Sequence, residues 1–121
     1  MHPTSVHCVR VYDPLPESKG WRVLVDRLWP RGIKKESLPL DEWCKDVAPS
    51  PELRKWFGHD PQRWEGFCTG YRKELQARRS DVEALLKRCG TRPLLLLYAA
   101  RDPEYNHARV LKAFIESTFS R

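Results

Sequence analysis

Two apolar strands in this sequence each run directly into a cluster of polar and charged side chains. Residues 23–25 lead into Asp-Arg-Leu-Trp-Pro-Arg-Gly at 26–32, and residues 94–98 lead into Ala-Ala-Arg-Asp-Pro-Glu-Tyr-Asn-His at 99–107. In open α/β sheets, ligands bind in the crevice outside the carboxyl ends of the strands. If the two strands are parallel neighbours, one crevice receives six side chains, namely Arg27, Arg31, Arg101, Asp102, Asn106 and His107.

These residue types suit the binding of an anion. An arginine side chain presents a planar fork of donors that matches phosphate or carboxylate, so Arg27, Arg31 and Arg101 are predicted to hold such a group. The unperturbed pKa of histidine lies near neutrality, which allows it to act as an acid or a base. Asp26 and His107 are therefore the candidate catalytic pair.

Each of these residues also has a purely structural interpretation. Asp26 equally fits a salt bridge to a nearby arginine, since a buried carboxylate needs a partner. Asp102 or Asn106 fits the N-cap of the last helix, depending on where that helix begins. His107 lies on an apolar helix face, as a core histidine does. Trp29 is interpreted as a core or lid aromatic, with stacking on a ligand base as the alternative.

Composition restricts the class of protein. The chain has 121 residues, of which 22 are Lys or Arg and 16 are Asp or Glu, giving a formal charge of +6. Length and composition are typical of a single well-solvated domain spanning residues 1–121. The positive charge would attract phosphorylated metabolites, nucleic acid or acidic proteins. It is spread along the chain without a long basic run, so a dedicated nucleic-acid surface is the weaker prediction.

Cysteine spacing and known motifs exclude several chemistries. The cysteines at positions 8, 44, 68 and 89 form no C-x-x-C pair, and no paired histidines accompany them, so the pattern predicts no metal site. The phosphate-loop, dinucleotide-binding and H-E-x-x-H motifs are absent, and nothing indicates a cofactor. There is no signal peptide or apolar run of membrane-spanning length, so we expect a cytosolic protein with reduced thiols.

The order of predicted elements favours an α/β fold with a small, mostly parallel sheet flanked by helices. Strands are predicted over 6–12, 21–28 and 93–100. Only the eight-residue loop 13–20 separates the first two strands, which leaves the direction of the first strand open.

Helix signals follow the second strand and the last one. Asp41 is predicted to cap a short helix that runs through Val47, and Ser50 to cap a second helix that ends at Gly58. The next helix carries an apolar stripe from Trp64 to Leu75. It also contains Gly66 and Gly70, which are predicted to allow close packing against a neighbour. Ser80 forms a capping-box pattern before the helix that Gly90 ends. A last helix carries an apolar face that begins at His107.

The sequence also resembles a known family. It is similar to the bacterial YeaO-like proteins of the domain-of-unknown-function family 488, through segments that cover most of the chain: 10–14, 22–35, 40–43, 49–50, 52–55, 96–98 and 106–108. The resemblance implies an α/β fold in which the second and last strands are parallel, favours a parallel first strand, and implies no established activity. Longer members tend to carry a Cys-His pair where this chain has Asn106-His107, which argues against a metal or thiol mechanism.

These observations lead to one main hypothesis and two alternatives. The main hypothesis is that the crevice binds a small anionic ligand, a nucleotide or phosphorylated metabolite, with or without acid–base catalysis. The first alternative is a nucleic-acid-binding module that uses the surface cations Arg72, Lys73, Arg78 and Arg79. The second is a non-catalytic accessory protein that binds a partner. The oligomeric state does not follow from the sequence.

Overall fold

The computed structural model describes residues 2–15 and 20–119 and contains a four-stranded parallel sheet. In spatial order the strands are β1 (Val6–Arg10), β4 (Leu94–Tyr98), β2 (Trp21–Leu24) and β3 (Glu42–Trp43). The α/β fold and the parallel pairing of the second and last strands are confirmed. The first strand also pairs in parallel with β4. Residues 16–19 of the predicted loop lie outside the described residues.

β4 is the centre of the sheet and is buried along its whole length. Its side chains alternate between two hydrophobic clusters, as the two-residue period of a strand requires. Leu96 belongs to the large cluster to which all four helices contribute. Leu97 belongs to a smaller cluster on the other face, where residues 29–40 supply much of the cover. The sheet therefore carries its helices on one face and loop segments on the other.

Four α-helices complete the fold: α1 (Pro51–Phe57), α2 (Trp64–Ala77), α3 (Arg79–Cys89) and α4 (His107–Phe119). Ser50 caps α1 as predicted, because its Oγ accepts a hydrogen bond from the Leu53 amide at 3.2 Å. Gly58 ends α1 in the left-handed conformation, at φ 53°. Among the described residues, no helix has the length and apolarity needed to cross a membrane.

The predicted helix from Asp41 to Val47 is wrong. Glu42–Trp43 forms the edge strand β3 beside β2, and Lys45–Val47 makes a single 3-10 turn. The Asp41 carboxylate, which was expected to cap a helix, instead accepts a hydrogen bond from the Arg22 amide at 2.7 Å. The Asp41 carboxylate, which would have capped the helix, is therefore bonded to β2 instead.

The capping role predicted for Ser80 is also wrong. α3 begins at Arg79, with only Arg78 between it and the end of α2, so Ser80 lies inside the helix and is exposed. Arg78 occupies the N-cap position and makes no side-chain capping bond.

Two glycines of α2 let α1 approach closely, as the sequence predicts. A Cβ atom on Gly66 would lie 2.6 Å from Cη2 of Trp56, and one on Gly70 would lie 3.0 Å from Cδ1 of Leu53. Packing through these positions fixes α1 against α2, and α1 forms part of the site described below.

We predict that Ser50→Ala lowers the free energy of unfolding by about 1–2 kcal/mol. The substitution removes the helix cap, and it also removes the 2.5 Å hydrogen bond from Ser50 Oγ to Glu74 Oε2 that joins α1 to α2. Ser80→Ala is the matched control and should change stability by less than about 0.5 kcal/mol. Urea unfolding followed by circular dichroism measures both. Equal losses in the two variants would contradict the assignment of the cap.

Candidate functional site

A cavity of about 820 Å³ opens at the carboxyl ends of β2 and β4. Four parts of the chain supply most of its lining: residues 26–27 after β2, residues 99–102 after β4, residues 105–107 at the beginning of α4, and the segment 49–59 that contains α1. Phe67 of α2 adds to the apolar part of the wall. The position is the one expected for a ligand site in a parallel sheet.

The structure brings six of the predicted site residues to this cavity: Asp26, Arg27, Arg101, Asp102, Asn106 and His107. The parallel pairing of β2 with β4 is what places their two segments side by side. Their roles in binding or catalysis stay predictions.

Arg31 and Trp29 do not line the cavity, so the expectation that Arg31 joins the crevice is wrong. The Trp29 ring packs into the cluster on the loop-covered face, and its Nε1 donates to the Ile33 carbonyl at 2.6 Å. The Arg31 carbonyl accepts a hydrogen bond from Tyr12 Oη at 2.7 Å, and the chain then turns at Gly32 with φ 75°. Burial of the tryptophan thus directs the segment after β2 away from the cavity.

Asp26 connects several elements of the fold. Its Oδ2 accepts a hydrogen bond from the Ala99 amide at 3.0 Å, just after β4. Its backbone carbonyl accepts one from Trp43 Nε1 at 2.7 Å, from β3. Its Oδ1 lies 2.9 Å from Nε2 of His107. That contact lacks the alignment of a hydrogen bond, and the buried Oδ1 has no hydrogen-bond partner among the described residues.

His107 is held by the same junction. Besides facing Asp26, its Nε2 lies 3.1 Å from the Val25 carbonyl oxygen, and the imidazole meets the Tyr71 ring edge-on. Because a carbonyl oxygen can only accept, the hydrogen bond to Val25 requires that Nε2 carries a proton. Any proton exchange with a ligand would therefore use Nδ1. The structural and catalytic interpretations of His107 are compatible, because one nitrogen is anchored and the other is left for chemistry.

Asn106 and Asp102 have structural roles. Asn106 is buried, accepts a hydrogen bond from the Arg109 amide at 3.1 Å and donates one to the Asp102 carbonyl at 2.8 Å. It is thus the N-cap of α4, which begins at the later of the two predicted positions. The Asp102 carboxylate accepts hydrogen bonds from the Tyr105 and Glu104 amides, and these bonds hold the pKa of Asp102 below its ordinary value.

Four basic side chains share the cavity lining: Arg27, Arg54, Lys55 and Arg101. None of them forms a salt bridge with a carboxylate of residues 2–15 or 20–119. The two carboxylates of the lining, Asp26 and Asp102, are engaged by the backbone groups described above. In the same part of the chain, no group of three or more His, Cys, Asp and Glu side chains is arranged to hold a metal ion.

Sequence reasoning missed the contribution of α1 and of Tyr105. Arg54 and Lys55 lie in the last turn of α1, where basic residues are common because they favour the helix dipole, so their pattern carries no sign of a site. His59 follows Gly58 and has φ 58°, an uncommon conformation for a non-glycine residue, and it lines the cavity. Such backbone strain clusters at functional sites.

We predict that Asp26→Asn lowers the free energy of unfolding by about 1–3 kcal/mol. If the new amide keeps its oxygen on the Ala99 N–H, its NH₂ group faces the protonated Nε2 of His107, and two donors then oppose each other. Asp102→Asn is the matched control, since an amide oxygen can accept the same two backbone hydrogen bonds at this exposed position. Thermal and urea unfolding measure both. Equal stability of the two variants would show that the Asp26 junction is not structural.

Comparison with known proteins places the chain in a family. A family profile described as "Inactive DUF488-N3 subclade" matches residues 5–121. The Escherichia coli K12 protein called "Uncharacterized protein YeaO" is 45% identical over 113 residues, which cover 93% of this chain and 98% of that protein. The Mycobacterium tuberculosis H37Rv protein called "Uncharacterized protein Rv3073c" is 43% identical over 108 residues, 89% of this chain and 91% of that protein. No solved structure matches the chain significantly. The resemblance drawn from the sequence is therefore confirmed, and the chain belongs to the DUF488 family, in the subclade described as inactive.

Proposed function

We propose that the cavity binds a small anionic ligand and that the protein acts through this binding rather than through turnover. The observation that carries the proposal is the set of four basic side chains without carboxylate partners in one cavity. Guanidinium and ammonium groups gathered in this way favour a phosphate or carboxylate, which accepts charge-assisted hydrogen bonds from several of them.

The shape of the cavity supports the same proposal. Its volume of about 820 Å³ lies in the range typical of small-molecule sites. Phe57 and Phe67 form an apolar part of the wall of the same cavity. An apolar wall lowers the local dielectric, so each cation attracts an anion more strongly than it would in open solvent.

Three observations favour binding without turnover. The Asp26–His107 pair is already committed to holding β2, β4 and α4 together. Asn106 stands where the resemblance implies Cys in longer relatives, and both ends of its amide are engaged in the cap of α4. The matching subclade is described as inactive. Acid–base catalysis through Nδ1 of His107 stays the alternative.

The nucleic-acid surface predicted from the sequence has less support. Arg78 donates to the Asp46 carbonyl at 3.0 Å, and the Arg79 guanidinium lies over the Phe119 ring at 5.4 Å. Both cations therefore already make structural contacts. Arg72 and Lys73 remain as exposed neighbours on α2.

We predict that inorganic phosphate and sulfate bind the wild-type protein and that the double variant Arg54→Ala/Lys55→Ala binds them about tenfold more weakly. The physical reason is the loss of two charge-assisted contacts from the cavity. Isothermal titration calorimetry at low ionic strength measures the affinity, and added sodium chloride should weaken it by screening and competition.

The matched control is Arg72→Ala/Lys73→Ala, which also removes two consecutive exposed cations from a helix. Its affinity for both anions should equal that of the wild type, and so should that of Arg31→Ala. The proposal fails if the wild type binds neither anion. It also fails if the two double variants weaken binding equally, because the effect would then come from net charge alone.

A further inference from the structure

An aromatic surface stands at the cavity beside the cations. Tyr105 lines the cavity with 39% of its surface exposed, and its ring stacks on Trp64 with centroids 5.0 Å apart and planes 15° from parallel. Trp64 stacks in turn on Phe67 at 5.6 Å and 22°, and Phe67 on Phe57 at 4.6 Å and 30°. Phe57 also lies 5.7 Å from Trp64, so these three rings form a compact aromatic cluster, and Tyr105 stacks on its Trp64 member.

Tyr105 is fixed in place on this aromatic cluster. The Tyr105 amide donates to Asp102 Oδ1 at 3.0 Å, and the next residue is the buried cap Asn106. Within residues 2–15 and 20–119, Trp64 supplies the ring that packs on Tyr105, and no cation lies over its face. A ring whose position is set in advance presents a binding surface at little cost in conformational entropy.

The size of the cavity also points to more than an inorganic anion. A phosphate group would meet the cations but would leave most of the 820 Å³ empty, and it would make no use of Tyr105. A planar aromatic group stacked on Tyr105 would place the Tyr105 ring between itself and Trp64. Nucleobases stack on aromatic side chains in this way, with little dependence on base identity.

We infer that the ligand is a nucleotide unit, whose phosphate meets the cations of the cavity and whose base stacks on Tyr105. This inference rests on the anion binding proposed above and adds the aromatic half of the ligand. A free nucleotide and a nucleotide within a single strand share this chemistry, so the experiment includes both.

The experiment compares four probes by isothermal titration calorimetry on the full chain: inorganic phosphate, ribose 5-phosphate, adenosine 5′-monophosphate and a short single-stranded oligodeoxynucleotide. Adenosine monophosphate is expected to bind about tenfold more tightly than ribose 5-phosphate, because the stacked base adds to the phosphate contacts. The oligonucleotide shows the source of the unit: tighter binding than the monophosphate places it in a strand, and weaker binding identifies a free nucleotide. Either result supports the inference.

Variants of Tyr105 identify the surface involved. Tyr105→Leu should remove the tenfold advantage of the nucleotide while leaving the affinity for ribose 5-phosphate unchanged, which also shows that the variant is folded. Tyr105→Phe keeps the ring and should keep the advantage. Tyr12→Leu, which removes another exposed tyrosine outside the cavity lining, should behave as wild type.

The outcomes separate this inference from the proposal on which it rests. Equal affinity for adenosine monophosphate and ribose 5-phosphate overturns the nucleotide inference and leaves anion binding in place. An advantage that survives in Tyr105→Leu overturns it as well, since the base would then lie elsewhere. Failure of all four probes to bind removes both proposals.

Discussion

The carboxylate of Asp26 is the contact on which the geometry of the site depends. One carboxylate oxygen accepts a hydrogen bond from the Ala99 amide after β4, and the other lies beside His107 at the beginning of α4. The backbone carbonyl of Asp26 accepts a hydrogen bond from the Trp43 side chain in β3. A carboxylate this poorly exposed needs partners, because burying an unpaired charge is costly. The three elements that supply partners are therefore held at the end of β2. The cavity exists because the chain leaves β2 and β4 at this common junction.

The same junction separates the groups that build the site from the groups left available to a ligand. Asp26, Asp102 and Asn106 use their polar atoms on neighbouring backbone, and His107 uses one ring nitrogen. The cations of the lining have no carboxylate partners in residues 2–15 and 20–119, and Arg27 Nε donates a hydrogen bond to the Pro49 carbonyl at 3.4 Å. Four cations without carboxylate partners, against two carboxylates that contact neighbouring groups, give the cavity the electrostatics of a binding site for anions.

The sequence predicts the elements whose signals are local. Burial on both faces marks β4, and the Ser50 cap marks the beginning of α1, because a continuous apolar run and a capping hydroxyl depend on few distant residues. β3 was not predicted because a strand of two residues is too short to show a hydrophobic periodicity. Its place is fixed by tertiary contacts, among them the hydrogen bonds from Trp21 and Arg88 to the carboxylate of Glu42. Burial by itself raises the pKa of Glu42, but these hydrogen bonds outweigh it and hold that pKa below its usual value.

The residues of the candidate site likewise divide into those that the sequence predicts and those that only tertiary packing places there. Asp26, Arg101 and His107 follow strand ends or begin a helix, and the rule that ligands bind at the carboxyl ends of parallel strands is enough to bring them together. Arg54 and Tyr105 reach the cavity only through packing: α1 is seated on α2 by the glycines of α2, and the Tyr105 ring rests on Trp64. The sequence predicts close packing at those glycines but does not identify α1 as the neighbour, and no spacing predicts the stacking of Tyr105 on Trp64. The half of the site that could select a ligand therefore arises from helix packing, whereas the half that holds the cavity together arises from the strand ends.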